Sequence, residues 1–347
     1  MDLSISIKKK LRNFTLDVTF NTSNEVFALL GASGCGKSIT LKCIAGIEKP
    51  DAGKITLNGR VLFDSDAKIN LPPQKRRVGY LFQNYALFPN MTVAENILFA
   101  AVGDKKSKLR GLQENLERFQ LTGLENEFPH KLSGGQQQRV AFARVLMSNA
   151  EFLLLDEPFS AIDDFLKWQL EIYLAQVLKA YNGAAIWVSH DISEVYRMAK
   201  KIAVLNRGTI DTINTTHELF NQPKTLTAAL MTGCKNISRA KKIDAHKLFA
   251  ENWKLTLYST AEVPDGLSYV AIHAQFVNTD SAQCSNIFEA EVVQVIEDTK
   301  FFSVMVAPKD SESLPIRWNV DKRIWRKVQA DTFKLKLPAD KLILLEG

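Results

Sequence analysis

Glycine and proline are scarce in this chain of 347 residues, at 17 and 11. That scarcity argues against collagen-like, mucin-like and disordered classes. Cysteine is rarer still: Cys35, Cys43, Cys234 and Cys284 are widely scattered and none forms a CxxC pair. A zinc knuckle or a thioredoxin-like site is therefore not expected, and a reduced compartment fits. No apolar run reaches the roughly 18 residues of a bilayer-spanning helix. The opening MDLSISIKKKLRNF has basic residues with no apolar core after them, and so does not read as a secretory signal. There is no low-complexity segment and no internal repeat of about 20–50 residues. Neither charge sign dominates: 44 Lys and Arg face 38 Asp and Glu, a net +6 that reads as a solvated surface. What remains is an ordinary folded composition, 46% hydrophobic and 24% charged. The length predicts about two domains, each able to bury a core without a disulfide or metal staple.

Periodicity supplies the organisation. Leu3, Ile5 and Ile7, then Phe14, Leu16, Val18 and Phe20, alternate as strand residues do, with a turn over Asn21–Asn24. Glu25–Leu30 is an apolar run of buried-strand length, followed by a helix over Ile39–Ile47. Asn58-Gly59 between Lys54–Leu57 and Arg60–Phe63 marks a hairpin. From Ala86 to about Ala150 the pattern turns helical, over Val93–Ala101, Lys106–Phe119 and Gly134–Ser148. Strand and helix then alternate: Phe152–Leu155, Asp163–Ala180, Ala184–Ser189, Ile192–Ala199, Ile202–Asn206 and Thr209–Ile213. The pattern predicts an α/β domain over residues 1–232, with a helical subdomain inserted at about 85–150. After Gly233, short strands separated by turns predict a small all-β barrel or sandwich over 233–347.

Three motifs carry chemistry. Gly31-Ala32-Ser33-Gly34-Cys35-Gly36-Lys37-Ser38 matches GxxxxGK[ST] between a predicted strand and a predicted helix. Glycines let backbone N–H groups turn inward, and the helix N-terminus adds positive potential for phosphate. Lys37 is placed to neutralise the β- and γ-phosphates, and Ser38 to coordinate Mg²⁺. Phe152-Leu153-Leu154-Leu155-Asp156-Glu157 is an apolar strand that delivers two carboxylates to the same sheet edge. Asp156 is read as a holder of Mg²⁺ and Glu157 as the base for an attacking water. The third motif, Leu132-Ser133-Gly134-Gly135-Gln136, precedes a predicted helix shortly before that strand.

With this third motif the chain resembles an ATP-binding-cassette (ABC) ATPase over roughly residues 1–230. Gln83, in Leu81-Phe82-Gln83-Asn84, resembles the Q-loop glutamine, which the resemblance also assigns to Mg²⁺. Ser160-Ala161-Ile162-Asp163 resembles the D-loop, with Ile162 where the family more often has Leu, and His190 resembles the switch histidine. The resemblance implies an α/β P-loop fold that binds ATP and Mg²⁺. It also implies a homodimer in which each ATP lies between one P-loop and the partner's signature, held there by Ser133, Gly134, Gly135 and Gln136. One departure stands out: Lys8–Arg12, where many members stack adenine on an aromatic, has none, and nearby Phe14 fits the strand pattern and reads as core.

Asn84–Pro89 and Met91–Ile97 resemble importer cassettes, in which the surface after the Q-loop receives a membrane subunit; Tyr85, Leu87 and Phe88 are its candidates. The C-terminal region resembles the oligonucleotide-binding (OB)-like domain of such cassettes, with Cys284–Val292 and a closing strand over Phe333–Leu344 similar to the molybdate type. The Ser-Ala-Arg-Asn opening common there reads Gln283-Cys284-Ser285-Asn286 and lacks the Arg. The implied function is an ATPase energising import of molybdate or tungstate, or of sulfate, with sugar or polyamine import as the alternative. Its implied partners are membrane permease subunits and, indirectly, a periplasmic or extracellular binding protein, at the cytoplasmic face of the membrane. A soluble ABC machine acting on nucleic acid is the competing class. A third class takes the C-terminal domain as an independent nucleic-acid module; Trp318, Trp325 and Lys322–Arg323 would have to supply its base-stacking surface, and a core or interface role is favoured for them. No nucleic acid is expected as a partner.

Overall fold

The computed structural model describes residues 1–148, 150–160, 162, 164–180, 185–279, 285–328 and 332–346. It divides into two compact units, Met1–Thr216 and His217–Gly347. The first unit runs β1 (Asp2–Lys10), β2 (Thr15–Ser23), β3 (Val26–Gly31), α1 (Lys37–Ala45), β4 (Ala52–Leu57), β5 (Arg60–Asp64), β6 (Ile69–Asn70), α2 (Pro73–Arg76) and β7 (Val78–Leu81). Then come α3 (Val93–Phe99), α4 (Lys105–Arg118), α5 (Gly134–Met147), β8 (Phe152–Asp156), α6 (Asp164–Ala180), β9 (Ala185–Val188), α7 (Ile192–Met198), β10 (Lys201–Asn206) and β11 (Thr209–Thr215).

These strands form one sheet in the order β6-β5-β4-β1-β2-β11-β10-β3-β9-β8-β7. One side is an antiparallel meander whose alternation puts Leu3, Ile5, Ile7, Leu16, Val18 and Phe20 into the core. β2 runs on through Asn21–Ser23, where the sequence predicts a turn, because Asp2–Ser4 of β1 pair with those residues; the chain turns at Asn24-Glu25, with Asn24 at φ 44°. The other side is parallel, β10-β3-β9-β8-β7, and β3, β8 and β9 are apolar nearly throughout because they are covered on both faces. Its register sets Gly31 beside Leu205, and Asp156 beside Val188. Three strands therefore release their functional loops at one carboxyl edge.

The expected helical segment is present between β7 and β8, and its helices start where capping predicts. Thr92 and Glu95 form a capping box on α3, Asp104 caps α4, and Ser133 and Gln136 form a capping box on α5. Fully buried Asn96 accepts from Phe88 N and donates to the carbonyls of Phe88, Met91 and Thr92. Arg144 of α5 donates to the carbonyls of Tyr85 and Ala86, both left-handed at φ 62° and 44°. The chain after Gln83 is thus held at several points.

The second unit begins within α8 (Thr216–Asn221), upstream of Thr232, and continues with α9 (Leu226–Met231), β12 (Asn236–Asp244), β13 (Lys247–Ala250), β14 (Leu255–Tyr258) and β15 (Leu267–Ile272). β16 (Ile287–Glu297), β17 (Phe301–Pro308), β18 (Ile316–Asp321), α10 (Lys322–Val328), β19 (Thr332–Lys336) and β20 (Ile343–Glu346) complete it. The strands form two sheets, β14-β13-β12-β15-β20 and β18-β17-β16-β19, which share one apolar cluster around Trp253, Val270, Val304 and Trp318. The strand pattern expects two short strands here, over Thr332–Leu337 and Lys341–Leu345, and two are present in different sheets, β19 paired with β16 and β20 with β15; the one closing strand over Phe333–Leu344 that the resemblance implied is thus divided. Pro338, which has no N–H to donate, lies at the break. Trp318 and Trp325 are buried against Phe333 and each other, so neither ring is free to stack on a base. Gln283 and Cys284 lie outside the described residues. Among the described residues, no helix is long and apolar enough to cross a membrane.

Candidate active site

The first part of the site is the turn between β3 and α1. Gly34 and Gly36 adopt φ 78° and 114°, conformations that side chains resist. A Cβ on Gly36 would also lie 2.7 Å from Leu16 Cδ1. No side chain caps α1, so its first-turn N–H groups keep their positive potential at the loop. Ala32, Ser33 and Gly34 form an exposed crest, while Cys35 is buried beneath it. Lys37 Nζ lies along the same turn and donates to the carbonyls of Gly31 (2.7 Å) and Ala32 (3.0 Å). Phe14 stands just before β2 rather than in it, with its ring against Gly36 and Gly208. An aromatic therefore does flank the P-loop, one residue outside the strand that the pattern gave it.

The second part is the end of β8. Asp156 is buried; its Oδ1 accepts from Ser38 Oγ at 3.0 Å and its Oδ2 from Tyr80 Oη at 3.1 Å. Burial pushes the Asp156 carboxyl above its ordinary range, and the Ser38 and Tyr80 hydrogen bonds counter that push. Burial, then the neighbouring Asp156 charge, pushes the Tyr80 phenol up. Tyr80 was not picked out from the sequence, since a Tyr in the strand Val78–Leu81 reads as core.

Glu157 follows with a left-handed backbone, φ 51°, unusual for a residue with a side chain. Its N–H donates to Val188 O at 2.9 Å, which fixes it to the end of β9. Glu157 Oε2 accepts from Gln83 Nε2 at 3.1 Å, and Oε1 lies 3.4 Å from His190 Nδ1. Gln138 of α5 donates to the Glu157 carbonyl at 3.3 Å. Two residues distant in sequence, Gln83 and His190, thus meet around one carboxylate, beside the Ser38–Asp156 pair. A small cavity of about 170 Å³ adjoins them, lined by Glu157, Ser160, Lys167 and His190 among others. Ser160 donates to the Glu157 carbonyl at 3.2 Å; Ala161 and Asp163 of the expected D-loop lie outside the described residues.

Ser133, Gly134, Gly135 and Gln136 are bonded differently. Ser133 Oγ accepts from Gln136 N, and Gln136 Oε1 accepts from Ser133 N, so both side chains close the start of their own helix. Their hydrogen bonds do not reach Gly31–Ser38.

The residues fit Mg²⁺. Ser38 Oγ and Asp156 Oδ1 are already within 3.0 Å of each other, and Gln83 donates through Nε2, leaving its Oε1 as an acceptor. Among the described residues there is no cluster of three or more His, Cys, Asp or Glu able to hold a metal. One carboxylate and neutral oxygens suit an ion that completes its octahedron with phosphates and water.

Residues 12–160 match the ABC transporter family model. An Fe(3+) ions import ATP-binding protein of Haemophilus influenzae (strain 86-028NP) is 42% identical over 233 residues, covering 66% of each chain. A spermidine/putrescine import ATP-binding protein of Acidothermus cellulolyticus is 42% identical over 224 residues, 63% of this chain and 56% of that one. A molybdenum import ATP-binding protein of Aliivibrio fischeri is 38% identical over 209 residues, 60% and 57% of the two. The chain thus spans less than two thirds of the length of these relatives. A solved dimeric ATP-binding cassette in a post-hydrolysis state, bound to ADP and Pi, superposes with a TM-score of 0.54 at 26% identity, covering 62% of this chain and 99% of that one. The chain therefore has the ATP-binding-cassette fold, with the α/β core of a P-loop ATPase, and its sequence is similar to the ATP-binding subunits of ABC importers.

Proposed function

We propose that this chain is the ATP-hydrolysing subunit of an ABC importer. The observation that carries the reading is the meeting at Glu157: a carboxylate held by a left-handed backbone, with Gln83 and His190 on its two oxygens. In this reading the P-loop N–H groups and Lys37 hold the phosphates, and Glu157 takes the proton of the attacking water. Gln83, bonded to Glu157 at 3.1 Å, helps orient it, and Gln83 and His190 report the γ-phosphate. Ser38, Asp156 and Gln83 would hold Mg²⁺, which would supply charge neutralisation to the phosphates. Ser133–Gln136 serve the ATP of a partner cassette, since their own bonding leads away from the P-loop of this chain.

The reading extends to partners. The half-buried Tyr85, Leu87 and Phe88 are the candidates to meet a permease subunit at the cytoplasmic face, and the Phe88 ring packs tilted at 4.6 Å from that of Phe99, a residue 61% exposed. A substrate-binding protein would act through that permease. For the cargo, the oxyanion class stays first on the Cys284–Val292 sequence resemblance, with molybdate or tungstate ahead of sulfate. Spermidine/putrescine and Fe(3+), which the relatives' names carry, are the alternatives. The C-terminal β unit is read as an OB-like dimerisation or regulatory domain.

Glu157→Gln tests the assignment. Turnover falls by roughly 10²–10⁴, the usual weight of a general base, while ATP binding persists and the chain elutes as a dimer with ATP. Hydrolysis at the wild-type rate would overturn it. A thermal-shift panel of Mg-ATP, molybdate, tungstate, sulfate and spermidine tests the cargo. A ligand at about 100 times its Kd stabilises its binder by roughly 2.7 kcal/mol, and a shift with spermidine alone would remove the oxyanion reading.

A further inference from the structure

We infer that Lys167 is a positioning residue for His190, acting through the two carboxylates that hold the backbone on either side of the imidazole. The inference rests on the ATPase reading above. The starting point is an imbalance. The His190 side chain is 69% exposed and meets Glu157 at 3.4 Å, a length too great to orient a ring. Its direction must therefore come from residues 189 and 191.

Both are locked into one network. Buried Ser189 donates through Oγ to Glu194 Oε2 at 2.6 Å and accepts from Asp191 N at 2.9 Å. Asp191 caps α7, its Oδ1 accepting from the N–H groups of Ser193 and Glu194. The other oxygen of each carboxylate meets Lys167: Nζ lies 2.5 Å from Asp191 Oδ2 and 2.7 Å from Glu194 Oε1. The Glu194 side chain is only 4% exposed and that of Lys167 only 15%. Two carboxylates packed this close repel strongly unless a cation sits between them. Burial alone would push the Lys167 ammonium down; the two carboxylates outweigh burial and lift it. Burial alone would likewise raise Asp191, and the Lys167 ammonium holds it below its ordinary range.

A second pair fixes how the helices lie. One turn along α6, the buried Glu171 accepts a two-pronged bond from Arg197 of α7, at 2.6 and 2.7 Å. The polarity is reversed relative to Lys167: cation on α6 at the first contact, anion at the second. A shift of either helix by one turn would set like charges together, so the two pairs specify one register. His190 leads directly into α7 and follows it.

The test compares Lys167→Met and Lys167→Arg with wild type by hydrogen exchange and by steady-state ATPase. Lys167→Met should speed exchange of the amides at 191–195 by about tenfold or more, leaving β3 and β8 protected. It should lower kcat by about tenfold with the KM for ATP within about twofold. Lys167→Arg should recover most of that loss. In a His190→Ala background, Lys167→Met should cost less than about twofold, because the two act as one unit. Unchanged exchange at 191–195, or an undiminished kcat loss in the His190→Ala background, overturns the inference. If Lys167→Met does not fold, Lys167→Met/Glu194→Gln, which removes the unpaired buried charge, carries the same expectations, and a normal kcat there also overturns it. A wild-type chain with no ATPase would sink the functional reading instead, while the exchange measurement would still decide the role of Lys167.

Discussion

Two helices of the cassette begin with glycine-rich segments of similar sequence character, and their ends are used in opposite ways. At α1 the N-cap is Gly36 and no side chain closes the helix start. At α5 the N-cap is Ser133, and its capping box with Gln136 satisfies donors that α1 leaves open. The far ends differ too. α1 is closed by Arg76, which is fully buried and donates to the carbonyls of Cys43, Ile44 and Leu71 and to Asn70 Oδ1. At α5, Ser148 Oγ donates to Val145 O at 2.6 Å. The same dipole is thus presented bare in one helix and self-capped in the other. A bare end anchored from behind suits a ligand that arrives with its own negative charge. A self-capped end is stable alone, and suits a surface that waits for a ligand held elsewhere.

The largest effect should come from removing the anchor. Arg76→Ala empties the space of a fully buried guanidinium, leaves the buried Ile44 carbonyl without that donor and takes one donor from Leu71 O and Asn70 Oδ1, while Cys43 O keeps Gly46 N–H. A buried acceptor left unpaired costs about 1–3 kcal/mol. We expect a loss of about 4 kcal/mol in total, read as a fall of roughly 10 °C in Tm. A loss under about 1 kcal/mol would mean that the back of α1 is not what holds its open end. Next comes the open end itself. Gly36→Ala meets both a left-handed φ and Leu16 Cδ1 at 2.7 Å. We expect nucleotide affinity to fall by about 10²-fold, since the loop must distort to fit the methyl. Unaltered binding of a fluorescent ATP analogue would show that the loop tolerates the shift.

Much of this site was legible in the sequence because each of its parts is local. The turn Gly31–Ser38, the strand Phe152–Glu157 and the histidine His190 are each recognisable from neighbours in the chain, and parallel pairing then brings them to one edge. The parts that escaped are those whose partners are distant. Tyr80 looks like a strand core residue until Asp156 is seen on its hydroxyl. Lys167 looks like a solvated helix charge until Asp191 and Glu194 close on it. Phe14 fits the strand alternation by position, yet lies outside β2. In the second unit, the alternation of β12 is masked by Arg239, Lys241 and Lys242, which read as a charged loop, and α10 is hidden because Ile324, Trp325 and Val328 suit a strand equally well. The helices α8 and α9 are six residues each, with too few turns to show a period.

Ser133→Ala should cost less than either change at α1. Losing the N-cap side chain removes about 1 kcal/mol, a fall of about 2–4 °C in Tm. Nucleotide binding by isolated monomers should not change, because the hydroxyl bonds within α5. ATPase should fall more than stability does if this helix end completes a partner's site, and the two should fall together if it is only a cap.

Gly134→Ala gives the smallest effect on folding, and it separates those roles most cleanly. Gly134 has no left-handed φ, and a Cβ there would meet nothing within 4 Å. It is also the first residue of α5, where alanine restricts the unfolded chain more than glycine does. The substitution should therefore leave stability unchanged or raise it by about 0.5 kcal/mol. A glycine that folding does not need, at the start of a helix already capped by its own side chain, has room reserved for something approaching from outside. If Gly134→Ala keeps its Tm and loses ATPase, the methyl is blocking that approach, and the contrast between the two helix ends is one of ligand geometry. If it keeps both, α5 is a stable helix and no more, and the contrast with α1 reduces to capping.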